Sequence, residues 1–194
     1  QAPTTSNSYL VPSSGRGIGY VPTNGYIYES GNNEVYVYDN QTLVATIVLG
    51  VGVQTGRMSF CPVNGFLYIY STNTPEVYVI NTVTNTVHTI IAIINNGRAI
   101  EYCPTTNEIW VTTITFATPI QIIDCATNTI VASPPFPVSQ PQDVQYNSVD
   151  NTMYLADQTN SDVVIMNVDT YAIINTVGVT NNPYGLTFYP VSNK

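Results

Sequence analysis

One short pattern recurs five times along this chain, and it limits the fold more than any other feature of the sequence. Each copy places an aromatic residue just before a turn, and the copies are spaced 40, 42, 44 and 42 residues apart. The aromatic residues are Tyr20, Phe60, Tyr102, Tyr146 and Phe188. A regular period in this range is typical of an array of supersecondary units that bury their apolar faces against one another. We therefore expect each of these rings to be buried between neighbouring units.

Each repeat contains four apolar runs of strand length, separated by Asn-Gly, Thr-Asn and Ser-Gly steps that favour tight turns. No segment shows the sustained 3.6-residue period of a helix. The sequence predicts an all-β fold, a four-bladed β-propeller of four-stranded antiparallel blades. The alternative is five blades, with the fifth built from both ends of the chain. The first strand occurs five times and the other three only four times, so one first strand is surplus.

The repeats predict a single propeller domain over residues 16–194, preceded by an N-terminal arm at residues 1–15. The predicted repeats cover residues of about 16–55, 56–96, 97–141 and 142–182, with a fifth copy of the first strand at 183–194.

Two segments carry a more specific pattern, Val-x-Val-Ile-Asn or a close variant followed by Thr-Asn-Thr. They are EVYVINTVTNTVHTI (76–90) and IQIIDCATNTIVAS (120–133). In these segments the chain resembles the YVTN family of surface-associated β-propeller repeats, and the resemblance extends over residues 16–190. It implies a propeller at the cell surface and no particular activity, since propellers host many unrelated functions. The chain departs from the family's repeat at two places: Ser148 stands where the family has a Pro in the turn after the first strand, and no Gly follows Asn107.

The charge balance excludes several classes of partner. Twelve acidic residues face four basic ones, for a net charge of −8. Nucleic-acid binding needs a basic footprint, which this sequence lacks. No apolar run has the length of a membrane span. The sequence begins without Met, which we interpret as removal of a signal peptide. Together with the composition, this predicts an extracellular or cell-surface protein without a nucleic-acid partner or a membrane span.

Three of the four basic residues, Arg16, Arg57 and Arg98, occupy nearly the same position of the repeat. If the first strand of each blade is innermost, these arginines begin at one mouth of the central channel. This predicts a binding site for a small anion or carboxylate. The alternative is that each arginine pairs with a carboxylate on the same face, such as those of Glu34, Glu76 and Asp162.

Two acidic turns are candidate cation sites, because oxygen ligands at this density suit calcium. Their carboxylates are Glu29, Glu34, Asp157 and Asp162. Neither turn matches a complete calcium-loop signature, so we expect no metal and no cofactor. His88, the single histidine, falls in an outer run, and no catalytic constellation accompanies it. The sequence therefore predicts a protein that is not an enzyme.

Two kinds of covalent modification are suggested by short patterns. Asn40-Gln41-Thr42 is a glycosylation sequon at a predicted turn. Cys61, Cys103 and Cys125 are an odd number, so at least one lacks a partner within the chain. Cys103 and Cys125 are predicted to lie two strands apart, about 9–10 Å, which exceeds the Cα reach of a disulfide, about 7 Å. The sequence leaves the pairing open, and buried free thiols are the alternative.

These features predict a non-enzymatic structural or interaction protein of the cell surface. The more specific form of this prediction is a subunit of an extracellular filament that assembles by strand donation. The surplus strand motivates this hypothesis, because an unpaired strand edge templates pairing with another chain. The N-terminal arm is the expected donor, with Tyr9, Leu10 and Val11 as the residues that bind the neighbouring subunit. The alternative hypothesis is a ligand-binding propeller with an anion or carboxylate site at the channel mouth.

Overall fold

The computed structural model describes residues 16–115, 118–135 and 141–189. These residues form four antiparallel sheets of four strands each, and they contain no helix. In every sheet the spatial order of the strands follows the chain, so one continuous segment builds each sheet. The chain is thus a four-bladed β-propeller of four-stranded blades, which confirms the fold predicted from the repeats.

The strands are numbered in chain order. Blade 1 comprises β1 (Gly17–Val21), β2 (Tyr26–Ser30), β3 (Glu34–Asp39) and β4 (Thr42–Val48). Blade 2 comprises β5 (Thr55–Cys61), β6 (Phe66–Ser71), β7 (Glu76–Asn81) and β8 (Thr86–Ala92). Blade 3 comprises β9 (Gly97–Cys103), β10 (Glu108–Thr113), β11 (Ile120–Asp124) and β12 (Thr129–Ala132). Blade 4 comprises β13 (Pro141–Asn147), β14 (Thr152–Asp157), β15 (Asp162–Asn167) and β16 (Ile173–Gly178).

Asparagine shapes many of the turns between these strands. Asn85 and Asn128 close the turns between the third and fourth strands of blades 2 and 3, with φ of 53° and 56°. Asparagine tolerates this left-handed conformation better than other residues with a side chain, because its short amide bonds to nearby backbone. The frequent Asn of the sequence is therefore explained by hairpin geometry.

Side chains of the two middle strands of each blade fill three hydrophobic cores, one at each junction between consecutive blades. In blades 2 and 3 both sides of a middle strand are buried, one against the preceding blade and one against the following blade, whereas blades 1 and 4 each contribute to one core only. Burying one such aliphatic side chain contributes about 1.5–3 kcal/mol. Blades 1 and 2 meet through residues that include Tyr28, Val35, Val37, Leu67, Ile69 and Ile80. Blades 2 and 3 meet through Tyr68, Val77, Val79, Ile109, Val111 and Ile123. Blades 3 and 4 meet through Trp110, Ile120, Ile122, Met153, Leu155 and Met166.

A polar contact accompanies the core at the first two junctions. The Tyr28 hydroxyl donates to Asn85 Oδ1 of the next blade (2.6 Å), and Asn24 Nδ2 donates to the Thr82 carbonyl (3.0 Å). At the second junction the same contact recurs between Tyr68 and Asn128 (2.5 Å) and between Asn64 and the Cys125 carbonyl (2.6 Å). The turn asparagines thus join neighbouring blades as well as shaping their own turns.

The third junction replaces this polar contact with an aromatic one. Trp110 takes the place of the tyrosine, and its ring meets the ring of Tyr171 edge to face at 5.7 Å. The Tyr171 hydroxyl turns back to donate to Glu108 Oε1 (2.6 Å). Among the described residues, the buried indole N–H of Trp110 has no hydrogen-bond partner. The third junction therefore keeps a hydrogen bond between blades, but the bond runs from a tyrosine to a glutamate instead of to a turn asparagine.

The recurring aromatic residues of the first strands were expected to be buried, and this expectation is wrong. Phe60, Tyr102 and Tyr146 are half-buried at the margins of the three cores, and Tyr20 is 61 % exposed. Phe188 is also half-buried. The first strands lie at the end of each sheet, where the rings are covered on one side only. The hydroxyls of Tyr102 and Tyr146 reach the turns, where they donate to Asn107 and Asn151.

The two outermost faces of the array, on blades 1 and 4, are left open. On blade 1, Ile18 is 71 % exposed, whereas its counterpart in blade 2, Met58, packs against the first core. On blade 4, Val177 is 47 % exposed, whereas its counterpart in blade 2, Ile91, is 8 % exposed. Among the described residues no hydrophobic core joins blade 4 to blade 1. We call the open side of blade 1 the rear face and the open side of blade 4 the front face.

Residues 184–189, part of the fifth copy of the first strand, lie beside the front face without forming a strand. The Leu186 N–H donates to the Asp143 carboxylate (2.9 Å), and the Tyr184 hydroxyl contacts Gln158. A cavity of about 250 Å³ separates Leu186, Thr187 and Phe188 from Tyr154 and Gln145. The described residues form no fifth blade, and the proposed donor residues Tyr9, Leu10 and Val11 lie outside the described part of the chain.

Two glycines allow the innermost strands to approach Tyr70, which is buried between blades 2 and 3. A Cβ atom on Gly97 would lie 2.5 Å from Tyr70 Cβ, and one on Gly56 would overlap the Tyr70 ring. Real Cβ atoms do not approach one another this closely, so a side chain at either position forces the strands apart.

We predict that Gly97→Ala destabilises the propeller by about 1–3 kcal/mol, because the added methyl group overpacks the junction beside Tyr70. The measurement is the free energy of unfolding in a denaturant titration. Gly178→Ala is the matched control, because no atom lies within 4 Å of its added methyl group. We expect the control to change stability by less than about 0.5 kcal/mol. Equal effects of the two substitutions would contradict the close approach at Tyr70.

Candidate functional site

The candidate site is a depression of about 310 Å³ at the mouth of the central channel, which we call the arginine pocket. Arg16 precedes β1 and Arg98 lies in β9, so the innermost strands of blades 1 and 3 bring these two side chains to one place. The pocket is lined by Arg16, Gln54, Tyr70, Thr72, Asn96, Gly97, Arg98, Ile114 and Gln142. Two of the three arginines expected at the channel mouth are thus brought together.

The two guanidinium groups of the arginine pocket retain free donors. Arg16 donates one hydrogen bond, from Nη1 to the Thr72 hydroxyl (3.1 Å). Arg98 is exposed, and no hydrogen bond or ion pair joins its side chain to another described residue. Since a guanidinium offers five N–H donors in a planar fork, both arginines can still bind a carboxylate or an oxyanion.

The third arginine, Arg57, is held by a carboxylate instead of lining the arginine pocket. Its Nη1 lies 2.6 Å from Asp143 Oδ1, and the Asp143 side chain is only 4 % exposed. The Asp143 carboxylate also accepts from the backbone N–H groups of Val144 (3.0 Å) and Leu186 (2.9 Å). This one carboxylate therefore links the innermost strand of blade 2, that of blade 4 and the C-terminal segment.

The specific partners suggested for the arginines from the sequence are wrong. Glu34 and Glu76 accept hydrogen bonds from the hydroxyls of Tyr36 (2.7 Å) and Tyr78 (2.8 Å) in their own strands. Arg57 forms its ion pair with Asp143. Among the described residues, no ion pair joins Asp162 to an arginine. Strands β3, β7 and β15 are the third strands of their blades, two strands outward from the innermost strand.

Glu101 is the ionisable group beside this ion pair. Its Oε1 accepts a hydrogen bond from Gln145 Nε2 (2.9 Å) of the neighbouring blade. Burial raises the pKa of Glu101 to about 7, and the negative charge of Asp143 adds to this increase, while Arg57 opposes it. The carboxyl group therefore changes its charge near neutral pH.

The acidic turns suggested as cation sites remain incomplete. Among the residues that the structure describes, no group of three or more His, Cys, Asp or Glu side chains could hold a metal ion. Asp157 is fully buried, and its Oδ1 accepts from the backbone N–H groups of Thr159 (3.0 Å) and Asn160 (3.4 Å). Glu29 is buried, and burial raises the pKa values of both Glu29 and Asp157. The Asp157 carboxylate therefore accepts hydrogen bonds from its own turn, and the Glu29 carboxylate lies buried in its own sheet.

The remaining candidates lie apart from the arginine pocket. Asn40 is exposed in the turn between β3 and β4, with a left-handed φ of 56°. His88 is exposed on β8, an outermost strand, where its ring lies 4.4 Å from that of Phe66. Cys61, Cys103 and Cys125 are buried free thiols. The sequon is thus accessible, and the histidine lies against an aromatic ring on an outer strand.

Three residues of the site were missed from the sequence: Asp143, Glu101 and Tyr70. A signal for Asp143 was present, because it occupies the same position of its repeat as Arg57, three residues before the aromatic residue. Opposite charges at equivalent positions of two innermost strands indicate an ion pair across the channel. No comparable signal marks Glu101 or Tyr70, because their surroundings depend on how closely neighbouring blades pack.

Comparison with known proteins supports the fold alone. No family model matches the chain, and no curated protein matches it. Among solved structures, the chain is similar to Kuenenia stuttgartiensis hydrazine synthase, with a TM-score of 0.77 over 91 % of this chain at 16 % identity. The match spans 52 % of that chain. The neighbour is an enzyme by name, but a propeller fold shared at this identity does not show an enzyme.

We predict that Glu101→Gln raises the melting temperature more at about pH 8 than at about pH 5. The pKa of Glu101 is raised in the folded protein, so its stabilising contribution is present at low pH and is lost as the pH rises through about 7. The amide removes this loss and still accepts the hydrogen bond from Gln145. The measurement is thermal unfolding across this pH range. Asp169→Asn, at an exposed carboxylate, is the control and should show no such difference; a pH-independent effect of the glutamine would contradict the prediction.

Proposed function

We propose that this chain is a non-enzymatic structural or interaction protein of the cell surface, and that it works by associating with further copies of itself. The observation that carries the proposal is the pair of open apolar faces at the two ends of the blade array. An exposed apolar patch of this kind is typical of a protein–protein contact. The YVTN-like repeats support the surface location.

The rear face and the front face are suited to each other, because three junctions of the same kind exist within the chain. Ile18 and Tyr20 of the rear face correspond to Met58 and Phe60, which pack against the first core. Val177 and Val179 of the front face correspond to Ile91 and Ile93, which are buried at the second core. A second copy of the chain offers its rear face to the front face of the first. Such a contact is head-to-tail, and repetition gives a closed ring or an open filament.

Strand donation is the more specific form of this proposal. Residues 184–189 repeat the sequence of a first strand, and among the described residues no strand pairs with them. Apart from the Leu186 N–H, which donates to Asp143, their described backbone groups are available to the sheet of another subunit, as in β-strand addition. The N-terminal arm with Tyr9, Leu10 and Val11 is the second candidate donor. With either donor, the donated strand would form main-chain hydrogen bonds between subunits, and contact through an apolar end face would bury further surface area.

The proposal that the chain is not an enzyme rests on the chemistry at the channel mouth. The arginine pocket offers guanidinium, amide and hydroxyl groups, and the single histidine lies on an outer strand. The net charge of −8 argues against a nucleic-acid partner. No helix among the described residues has the length and apolar character needed to cross a membrane.

A second candidate function is the binding of a small anion or carboxylate in the arginine pocket. The observation that favours it is Arg98, an exposed guanidinium without a hydrogen-bond or ion-pair partner in the described part of the chain. Arg16, Thr72 and Gln142 supply further donors around it. A carboxylate-bearing group on another copy of the chain would serve as such a ligand, so the two functions are compatible.

We predict that the intact chain forms oligomers at micromolar concentration, measured by sedimentation velocity, and that Ile18→Asp on the rear face weakens them, because the counterpart Met58 packs against a core. A charge on an apolar face that becomes buried is costly. Val83→Asp is the matched control, because Val83 is 87 % exposed in the turn between β7 and β8, away from both faces. A monomeric chain, or equal weakening by both variants, would contradict self-association through the end faces.

Removal of residues 1–15 separates the two ways of associating. Loss of the oligomers with an unchanged circular dichroism spectrum assigns the contact to the arm. Unchanged oligomers rule out donation by the arm and leave the end faces and residues 184–189 as the contact.

We predict that sulfate raises the melting temperature of the chain, and that replacing both Arg16 and Arg98 by Gln abolishes the increase. A ligand that binds only the folded state stabilises it by mass action, by about 2.7 kcal/mol at a hundred times its dissociation constant. Potassium chloride at the same ionic strength is the control for general salt effects. A response to sulfate that is equal in the wild type and the double variant would assign the arginines a structural role.

A further inference from the structure

The three cysteines are divided between two different junctions. Cys61 ends β5, and Cys125 follows β11; both belong to the core between blades 2 and 3. Cys103 ends β9 and belongs to the core between blades 3 and 4. Cys103 and Cys125 therefore lie on opposite sides of blade 3, and only Cys61 and Cys125 share a junction. The structure thus selects one pair where the sequence leaves the pairing open.

The backbone around this pair is held from both blades. Asn64, three residues after Cys61, donates from Nδ2 to the Cys125 carbonyl (2.6 Å). Asn107 of blade 3 accepts at its carbonyl from the Cys125 N–H (3.1 Å), and its Oδ1 accepts from the Cys61 thiol (3.4 Å). Both side chains are at most 1 % exposed. The two thiols thus lie in one buried core, with Asn107 bonded to both residues.

We propose that Cys61 and Cys125 form a disulfide that crosslinks blades 2 and 3, and that Cys103 stays a free thiol.

The redox step requires an oxidant, which we take to be a small-molecule disulfide such as oxidised glutathione. The Cys61 thiolate attacks one sulfur of that disulfide and releases one molecule of thiol. Cys125 then loses its proton and attacks the Cys61 sulfur of the mixed disulfide, which releases the second molecule of thiol. Two protein thiols are oxidised, and one small disulfide is reduced to two thiols.

The ionisation of the pair favours Cys61 as the attacking group. The hydrogen bond from the Cys125 thiol lowers the pKa of Cys61 to about 6, and the same bond and burial raise the pKa of Cys125. A thiolate is the reactive form of cysteine. Because both groups are buried in the folded propeller, the exchange proceeds during folding or through opening of the junction.

A bond between these residues would close a long loop, because they are 64 positions apart in the sequence. Crosslinks that close long loops restrict the unfolded chain most strongly, and the expected rise in melting temperature is about 10 °C. The crosslink would also hold together the junction that contains Tyr68 and Tyr70, beside the arginine pocket.

The test is to refold the full chain with reduced and oxidised glutathione, block free thiols with N-ethylmaleimide in denaturant, and measure the intact mass. We expect one maleimide on the oxidised chain, located at Cys103, and three after reduction. Peptide mapping without reduction should show the Cys61 peptide joined to the Cys125 peptide. Three maleimides after oxidative refolding, or a crosslinked peptide that contains Cys103, would overturn the proposal.

Two variants extend the test. Cys103→Ser should leave the oxidised chain with no free thiol and with the melting temperature still raised relative to its reduced form. Cys125→Ser should leave two free thiols and no difference between the two forms. A difference in melting temperature that persists in Cys125→Ser would show that another pair is responsible, and this too would overturn the proposal.

Discussion

A four-stranded blade cannot be stable alone, because the middle strands are apolar on both sides and each side must be covered by another blade. Every other feature of this protein follows from that requirement. The cores built on Tyr28, Tyr68 and Trp110 occupy equivalent places at the three junctions, and the contacts of the turn asparagines are added at the first two. The period of the sequence is the period of these junctions, since each of the two inner repeats supplies one side of two cores and each end repeat supplies one side of one core.

At the innermost strands, an ion pair and the close approach of backbone to Tyr70 matter more than hydrophobic burial. They are short of bulky apolar side chains where they meet, and glycines at positions 56 and 97 admit the ring of Tyr70. Three of the four basic residues of the chain, the arginines, lie here. One of them, Arg57, neutralises the buried Asp143, while Glu101 beside them keeps its proton up to about neutral pH. An acidic protein thus keeps its positive charge at one mouth of the channel, where a negatively charged group has most reason to bind.

The sequence predicts the architecture well and the site incompletely, for reasons that particular residues make clear. Strand runs and turn asparagines are local signals, so the four sheets and their order follow from them directly. The gathering of Arg16 and Arg98 also follows, because equivalent repeat positions are equivalent places in a propeller. Burial of the recurring aromatic residues does not follow: Tyr20 has the same sequence context as Phe60, but no described blade covers the rear face on which it lies. The partner of Arg57 and the surroundings of Cys125 depend on contacts between blades, which a pattern within one repeat does not encode.

The open faces at the two ends have a further consequence, for the way such a chain changes over evolutionary time. Because each blade touches only its immediate neighbours, a duplication or loss of one repeat leaves the remaining junctions intact. Recombination between similar repeats can therefore change the number of blades in a single event, without a folding penalty spread over the whole chain. A propeller fixed by a closing contact between first and last blades would have to rebuild that contact each time. The described residues show no such closing contact, so a change in the number of blades would leave each described junction as it is.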